Sequence, residues 1–239
     1  MLTIVLSRHG PTTRSSPEQH LGQRIDAPLS EDGREAARRL GARLFGIDFD
    51  RVIASPLSRA QETAAIAAPG CPVEAEARLL EMDYGAWEGK TYEQIESGDG
   101  LYRARWEADP AGLPCPDGES GDDVARRVRA FLDDLIGWSR EPSEPFDPFD
   151  SSDQTSSPQA AAGPPDHRVL VIAHSTLDRI FVCVALGVPI HDFRRRFRQE
   201  PASLTVLRFP GRLGAGALAL LVNDVSHLRG VSGATWDGP

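Results

Sequence analysis

Arg8 and His9 are the first residues along the chain whose types suggest chemistry. They follow the apolar run 2–6, which predicts a short buried strand that Gly10-Pro11 ends. The arginine supplies a permanent positive charge, and the histidine beside it supplies a titratable nitrogen nucleophile. Taken alone, this pair is more typical of polar residues at the surface end of a strand than of a reaction centre.

Two later stretches repeat the order of an apolar strand, polar residues and a helix. Residues 51–54 form a strand-like run, and Arg59 lies in the first turns of the alanine-rich helix that follows. Residues 168–173 are apolar on both faces, as in a central parallel strand, and His174-Ser175 follow directly. Open α/β sheets bind ligands outside the carboxyl ends of their strands. If the three strands are neighbours, two guanidiniums, two imidazoles and helix N-termini converge on one site.

This combination predicts a phosphate site. Guanidiniums bind phosphoryl oxygens through paired hydrogen bonds, and helix N-termini add amide donors. A neutral histidine held beside the phosphoryl group can attack it in line, and such catalysis needs an acid for the leaving oxygen. Glu81 is the favoured acid by its motif, whereas Asp83 and Glu88 compete on chemistry alone. No glycine-rich nucleotide loop or acidic cluster spaced for Mg²⁺ is present in the sequence, so neither a metal nor a cofactor is predicted.

The elements that must position these residues alternate between strands and helices. Strands are predicted at 2–6, 51–54, 168–173, 203–209 and 217–222. Helices are predicted at 30–46, 55–68, 119–138 and 175–186, and the segment 73–118 is expected to hold short helices at best. Ser55-Pro56 is expected to start the second helix, and Ser175 with Asp178 the fourth. The pattern predicts an α/β fold, a three-layer α/β/α sandwich with a mostly parallel sheet flanked by helices.

Composition narrows the class of protein. The 35 acidic residues exceed the 26 basic ones, and a net charge of −9 argues against general nucleic-acid binding. Three scattered cysteines without metal-ligand spacing are typical of reduced thiols in a cytoplasmic protein. The apolar runs are too short for a signal peptide or a membrane span, so no membrane association is predicted.

One segment differs in composition from the rest. Residues 141–167 are rich in proline, serine and acids, which predicts a flexible surface insertion rather than a domain boundary. The whole chain, 1–239, is therefore predicted to form a single domain. The sequence is compatible with a homodimer but does not determine the oligomeric state.

Seven short motifs occur in an order typical of one protein family, over nearly the whole chain. They lie at 6–12, 26–30 with Gly33, 54–60 with Thr63, 81–89, 116–120, 171–174 and 223–228. Together they resemble the histidine phosphatase superfamily, the phosphoglycerate-mutase-like proteins. The resemblance implies a mixed sheet flanked by helices, with a small cap over its carboxyl edge that fits residues 84–118.

The resemblance also implies a role for each motif residue. His9 would be the nucleophile that becomes phosphorylated, and Glu81 would protonate the leaving alkoxide and then activate water. Arg8, Arg59 and His174 would hold the equatorial phosphoryl oxygens, so that no metal is needed. The implied contacts to phosphate or substrate are Arg8, Thr12, Ser15, Gln23, Arg59, Tyr84, His174 and Ser175.

Departures from the mutase pattern favour hydrolysis. Thr12 and Ser15 stand where mutases carry Ser and Asn, and residues 83–89 resemble the phosphatase branch. The predicted enzyme is a metal-independent phosphomonoester hydrolase, a histidine phosphatase acting on a small phosphorylated metabolite. A cofactor-dependent phosphoglycerate mutase and a catalytically silent regulatory or binding member of the fold are the alternatives. The cap and the loop 14–25 are expected to select the substrate.

Several charged or titratable residues are assigned no part in the reaction. The histidines without a predicted role are His20, His167, His191 and His227. Arginines 194–196 and 198 are expected to form a solvated cationic surface. Arg103 and Arg105 lie in the expected cap, where they are candidates for contact with a second anionic group on the substrate.

Overall fold

A computed structural model describes residues 1–141, 166–210 and 216–229, and the sheet in these residues has six strands. The strands are β1 (Leu2–Arg8), β2 (Arg51–Ala54), β3 (Val73–Ala75), β4 (His167–Ala173), β5 (Leu204–Phe209) and β6 (Leu218–Asp224). They lie in the order β3-β2-β4-β1-β5-β6. The first four strands run parallel to one another, and β5 and β6 pair in antiparallel fashion at one side. The sheet is therefore mixed, with its parallel part in the half that carries the predicted site residues.

Helices cover both faces of the sheet and confirm the predicted α/β sandwich. They are α1 (Glu31–Leu44), α2 (Ser58–Ala67), α3 (Tyr92–Ala108), α4 (Gly121–Trp138), α5 (Ser175–Leu186) and α6 (Phe193–Arg196). Ile4 and Leu6 pack in the cluster that contains α4 and α5, whereas Val5 packs with α1 and α2. Because successive strand residues point to opposite faces, β1 contributes to both layers of core. Its carboxyl end is fixed by packing from both sides.

Two helix starts follow local capping rules. The Ser30 hydroxyl accepts a hydrogen bond from the Gly33 amide at 3.0 Å, and α1 begins at the next residue. Ser120 and Asp123 form a reciprocal capping box that starts α4. These caps confirm the predicted positions of both helices to within two residues.

The predicted start of α2 and the predicted cap of α5 are wrong. Ser55-Pro56 does not begin α2, because the Ser55 amide donates to the Ile172 carbonyl at 3.0 Å and extends the strand contact; the helix begins at Ser58. Helix α5 begins at Ser175, as predicted, but Ser175 does not cap it. His174 is the cap residue, with extended backbone and no side-chain cap bond. For α2, pairing between strands carries the chain past the point where the local pattern places the helix start.

The segment 73–118 holds more helix than its sequence pattern predicts. Helix α3 spans 17 residues, but Asp99 has non-helical backbone angles and divides it. A capping box between Thr91 and Gln94 starts the helix, and Ile95 and Trp106 are buried. The apolar residues do not form a continuous stripe across the kink, so the periodicity of a single helix is missing.

The predicted insertion lies mostly outside the described residues. Residues 142–165 are not among them, whereas His167, at its predicted end, is already the first residue of β4. No helix in the described ranges is long and apolar enough to cross a membrane.

Candidate active site

The carboxyl ends of β1 and β4 meet at an open cavity of about 130 Å³. The His9 amide donates to the Ala173 carbonyl at 3.0 Å, which ties the two strand tips together. Gly10 lies against the start of α1, where an added Cβ would come within 2.6 Å of the Gly33 carbonyl oxygen. Close packing between backbones therefore fixes the position of His9.

His9 lines the cavity with one ring nitrogen committed to the backbone. Its Nδ1 lies 2.7 Å from the Gly10 carbonyl oxygen, so Nδ1 carries the hydrogen and Nε2 keeps a lone pair. Burial, with the Arg59 and Arg8 guanidiniums adding to it, holds the pKa of His9 well below 6.5. At neutral pH this imidazole is an uncharged nucleophile in a cationic environment.

His174 stands next to His9 and is completely buried. The two ring centroids are 5.1 Å apart in an edge-on arrangement. Neither ring nitrogen of His174 has a hydrogen-bond partner within the described part of the chain. Burial lowers the pKa of His174 well below 6.5, and the neighbouring Arg59 and His9 lower it further. This neutral side chain does not itself line the cavity, and its ring nitrogens are unused by the described residues.

Arg8 lines the cavity from the tip of β1. One terminal nitrogen donates to the Gln199 carbonyl at 3.1 Å, and the other lies 3.8 Å from the Glu18 carboxylate. Its Nε is buried and has no partner among the described residues. The guanidinium is thus anchored at one nitrogen while positive charge faces the cavity.

Arg59 is completely buried, and it does not line the cavity. Its terminal nitrogens donate to three carbonyls in the loop that the sequence associates with substrate selection, those of Leu21, Gly22 and Ile25. A chain of hydrogen bonds connects α2 to β1: the Thr63 hydroxyl donates to the Arg59 carbonyl and accepts from the Gly10 amide. Arg59 therefore holds the loop, and its positive charge acts on both histidines.

Glu81 lines the cavity at the N-terminus of α5. One carboxylate oxygen accepts from the Thr176 amide at 3.1 Å, and the other accepts from the amides of Leu177 at 3.1 Å and Met82 at 2.8 Å. Amide donors at a helix N-terminus are suited to a carboxylate. Three donors from two segments therefore fix the orientation of this group.

The two carboxylates that compete with Glu81 in the sequence lie elsewhere. Asp83 accepts from the Gly85 amide and pairs with Arg24, and Glu88 accepts from the backbone amides of Gln23 and Arg24. Neither lines the cavity. Of the three carboxylates, only Glu81 is positioned at the cavity, and this position distinguishes it from Asp83 and Glu88.

The predicted contact between Gln23 and the substrate does not fit the position of this side chain. Its side-chain nitrogen donates to the Glu81 carbonyl at 2.8 Å, and it does not line the cavity. Arg127 donates to the same carbonyl at 3.1 Å and pairs with Glu119, which also accepts from Gln23. Sequence reasoning does not identify Arg127 or Glu119, although Glu119 lies within the motif 116–120. This network holds the backbone beneath Glu81.

The other predicted contact residues do line the cavity; they are Thr12, Ser15, Tyr84 and Ser175. The Thr12 amide donates to the Ser15 hydroxyl at 2.9 Å, which closes a tight turn after β1. The Tyr84 hydroxyl is 2.6 Å from that of Thr176. Burial, with the Glu81 charge, raises the pKa of Tyr84 well above 10, so its hydroxyl stays protonated.

Comparison with known proteins identifies the family. Residues 4–142 and 157–219 match the family model described as histidine phosphatase superfamily (branch 1). The chain belongs to the histidine phosphatase superfamily. The stretch 143–156, which the match leaves out, falls inside the predicted insertion.

Relatives of this histidine phosphatase superfamily member extend over almost its full length. It is 27% identical over 232 residues to a protein from Enterobacter sp. (strain 638) described as probable phosphoglycerate mutase GpmB. It is 29% identical over 232 residues to the Klebsiella pneumoniae subsp. pneumoniae protein of the same description. Each match covers 95% of this chain and 95% of the relative.

Solved structures, two of them described as phosphatases, have the same fold. A mycobacterial glucosyl-3-phosphoglycerate phosphatase is 26% identical, with a TM-score of 0.75 over 92% of this chain and 98% of the other. Bacillus stearothermophilus YhfR has a TM-score of 0.77 at 24% identity, covering 95% of this chain and 100% of that one. The Shigella flexneri alpha-ribazole phosphatase has a TM-score of 0.74 at 21% identity, over 93% and 96%. The last two comparisons concern the fold alone.

The outer part of the cavity in this histidine phosphatase superfamily member contains residues that sequence reasoning misses. His20 lies between the rings of Tyr84 and Tyr92, at centroid distances of 4.9 Å and 4.6 Å. Burial lowers its pKa to about 4, against a smaller opposing effect of the Lys90 carbonyl. The sequence signal for His20 is its place in the loop 14–25, which is expected to select the substrate.

Arginines form the rest of that outer wall, from Arg14, Arg179 and Arg194. The prediction that Arg194 belongs to a solvated surface is wrong, because its guanidinium stacks 4.8 Å from the centre of the Trp106 ring. Arg103 does not line the cavity: it pairs with Glu107 and lies 4.5 Å from the Tyr92 ring centre.

Proposed function

We propose that this chain hydrolyses phosphomonoesters through a phosphohistidine formed on His9. The observation that carries the proposal is the neutral His9 with its Nε2 lone pair beside Arg8, His174 and the fixed Glu81 carboxyl group. A nucleophile, positive charge and an acid–base group at one cavity satisfy the requirements of covalent phosphoryl transfer.

The reaction proceeds in two displacements. The Nε2 lone pair of His9 forms a bond to phosphorus while the ester P–O bond breaks, and protonated Glu81 donates its proton to the leaving oxygen. Glu81 then takes a proton from water as that water attacks the phosphohistidine, which releases inorganic phosphate and regenerates neutral His9. Guanidinium charge and the unused His174 nitrogens stabilise the oxygens of phosphorus in both transition states.

The size of the cavity supports a small metabolite as substrate. A buried water needs about 10–15 Å³ of comparable space. At about 130 Å³, the cavity accommodates a phosphoryl group with a short organic chain or ring. A folded protein substrate would have to present its phosphoryl group on a flexible segment.

A phosphoglycerate mutase is the second candidate, and the description of the GpmB relatives favours it. Hydrolysis and the mutase reaction share the phosphohistidine intermediate. They differ in the group that accepts the phosphoryl group from it. The sequence departures at Thr12 and Ser15, together with the phosphatase structures among the neighbours, support water as the acceptor.

Phosphate release and isomerisation can be measured on the same samples. The enzyme is incubated with 3-phosphoglycerate, with and without 2,3-bisphosphoglycerate, and with a panel of other phosphomonoesters. We expect phosphate release without 2-phosphoglycerate in the ³¹P NMR spectrum, and no release by His9→Ala. Isomerisation that outpaces release would establish a mutase, and inactivity on the whole panel would favour a binding or regulatory member of the fold.

A further inference from the structure

The cavity carries more positive charge than one phosphoryl group requires. Arg14, Arg179 and Arg194 line it in addition to Arg8. The lining includes two carboxylates, of which Glu81 is bound to backbone amides and Glu18 lies 3.8 Å from Arg8. Neither carboxylate neutralises the arginines on the outer wall.

Arg179 is placed by helix geometry. It is four residues after Ser175 on α5, so both side chains lie on the same face of the helix and line the cavity. Its Nε is buried, and no hydrogen bond or ion pair reaches its guanidinium from residues 1–141, 166–210 or 216–229. Burial lowers the pKa of Arg179, and Arg8 and Arg194 lower it further through like-charge repulsion. An anion would relieve that repulsion.

Arg194 is placed by stacking. Its guanidinium lies against the Trp106 ring at 4.8 Å, and it too has no hydrogen bond or ion pair in the described part of the chain. Trp106 is completely packed in the core, so the stacked guanidinium has a rigid support. The nearby arginines of the same segment differ: Arg196 pairs with Asp192, and Arg195 is exposed and does not line the cavity.

We propose that Arg179 and Arg194 form a second anion subsite, which binds a carboxylate or a second phosphate on the phosphomonoester substrate. The inference rests on the proposed function, since it assigns the part of the substrate that lies beyond the transferred phosphoryl group. Two guanidiniums at one cavity, neither with a hydrogen bond or ion pair to the described residues, match the two oxygens of a carboxylate or phosphate. The subsite makes the enzyme selective for metabolites that are anionic at two positions.

A matched pair of substrates tests the subsite. 3-Phosphoglycerate carries a carboxylate at the position where glycerol 3-phosphate carries a hydroxymethyl group. We expect kcat/KM to be at least about tenfold higher for 3-phosphoglycerate, since a hydrogen bond to a charged group contributes enough for such a factor. Fructose 1,6-bisphosphate against fructose 1-phosphate gives the same comparison for a second phosphate. The larger of the two ratios identifies the preferred anion.

Three variants show whether the two arginines produce that ratio. Arg179→Gln and Arg194→Gln should each lower it about tenfold, or about 1.4 kcal/mol. Arg195→Gln, on the same short helix but outside the cavity, should leave it unchanged. If Arg179→Gln unfolds the protein, Arg194→Gln alone decides, because its side chain is only half-buried. A ratio near one in the wild type, or an unchanged ratio in the variants, would overturn the subsite.

A binding measurement tests the subsite independently of the proposed catalytic function. His9→Ala is titrated with 3-phosphoglycerate and glycerol 3-phosphate by calorimetry, so that no turnover is involved. Tighter binding of 3-phosphoglycerate that is lost on adding Arg194→Gln supports the subsite even if the wild type releases no phosphate. Equal binding of the two compounds rejects the subsite, whereas phosphate release by the wild type would still support the hydrolase.

Discussion

The imidazoles of His9 and His174 stay uncharged at neutral pH, because burial and neighbouring arginines oppose their protonation. For His9, the bond from Nδ1 to the Gly10 carbonyl leaves Nε2 as the atom that can attack. We propose a different role for Glu81, whose oxygens are held by amides: it exchanges protons with the leaving group and with water. For the two histidines, the environment sets the uncharged state that these roles require.

Glu81→Gln should slow turnover according to the leaving group. General acid catalysis contributes about 10²–10⁴-fold, so kcat for alkyl phosphates should fall within that range. 4-Nitrophenyl phosphate, whose leaving group departs without a proton, should lose much less in the phosphorylation step. Single-turnover rates with both substrates measure this, and equal losses would contradict the acid role of Glu81.

His20 should make the protein less stable in acid. Its pKa is about 4 in the folded protein and 6.5 ordinarily, so the unfolded chain binds the proton more tightly. The stability that the neutral ring supports is complete above pH 6.5 and is lost as the pH falls toward 4, by on the order of 3 kcal/mol.

Urea denaturation of wild type and His20→Asn from pH 7 to pH 4 isolates this effect. Asn keeps a donor toward the Lys90 carbonyl, and other titrating groups cancel in the comparison. The free energy of unfolding should fall less steeply with decreasing pH in the variant. Parallel curves would show that His20 titrates normally.

The motif residues could be predicted from the sequence, and the structure brings His9, Glu81 and His174 to one place. The local sequence does not show which groups a given side chain will contact in the fold. Gln23 faces the Glu81 carbonyl rather than the cavity because Arg59 fixes the path of the intervening loop. No spacing rule shows which of several successive arginines stacks on a buried tryptophan, and so the arginine wall was missed.

At the scale of elements, helix α4 supports the backbone segment that carries Glu81. Arg127 donates to the carbonyls of Arg78 and Glu81 and pairs with Glu119, so one side chain joins this helix to the segment that carries the proposed acid. Its side chain is mostly buried. Arg129, two residues later, is exposed and provides a matched control.

Arg127→Met should displace Glu81 without removing it. We expect kcat for alkyl phosphates to fall about tenfold and the loss for 4-nitrophenyl phosphate to be smaller, the same leaving-group pattern as for Glu81→Gln. Arg129→Met should have no effect. A uniform loss on both substrates would indicate general destabilisation instead of positioning.

Element types could be predicted where hydrophobic periodicity is strong, as in β1, β4 and α4. The start of α2 could not, because strand pairing across β2 and β4 overrides the capping residue Ser55. Helix α3 was missed since Asp99 interrupts it and divides its apolar pattern. Tertiary contacts decide in each of these cases.

At the scale of the whole molecule, the family match is interrupted at residues 143–156, within the segment whose composition predicts a surface insertion. We propose that the chain is one catalytic domain to which this insertion adds nothing essential. The flanking elements α4 and β4 pack in the same core cluster.

Replacing residues 143–156 with a short Gly-Ser linker should therefore leave kcat/KM within about twofold, because the family match leaves this stretch out and segments of such composition tolerate change. Thermal unfolding monitored by circular dichroism provides the parallel measurement of stability. A large loss of activity with an unchanged Tm would assign the segment a part in substrate binding, contrary to the proposal.

The central claim is that His9 carries the phosphoryl group during turnover. Rapid quenching with ³²P-labelled substrate, followed by peptide mapping, tests it most directly. The account predicts one acid-labile, base-stable label on the peptide that contains His9, and no label on His9→Ala. A label on another residue, or turnover by His9→Ala at the wild-type rate, would contradict it.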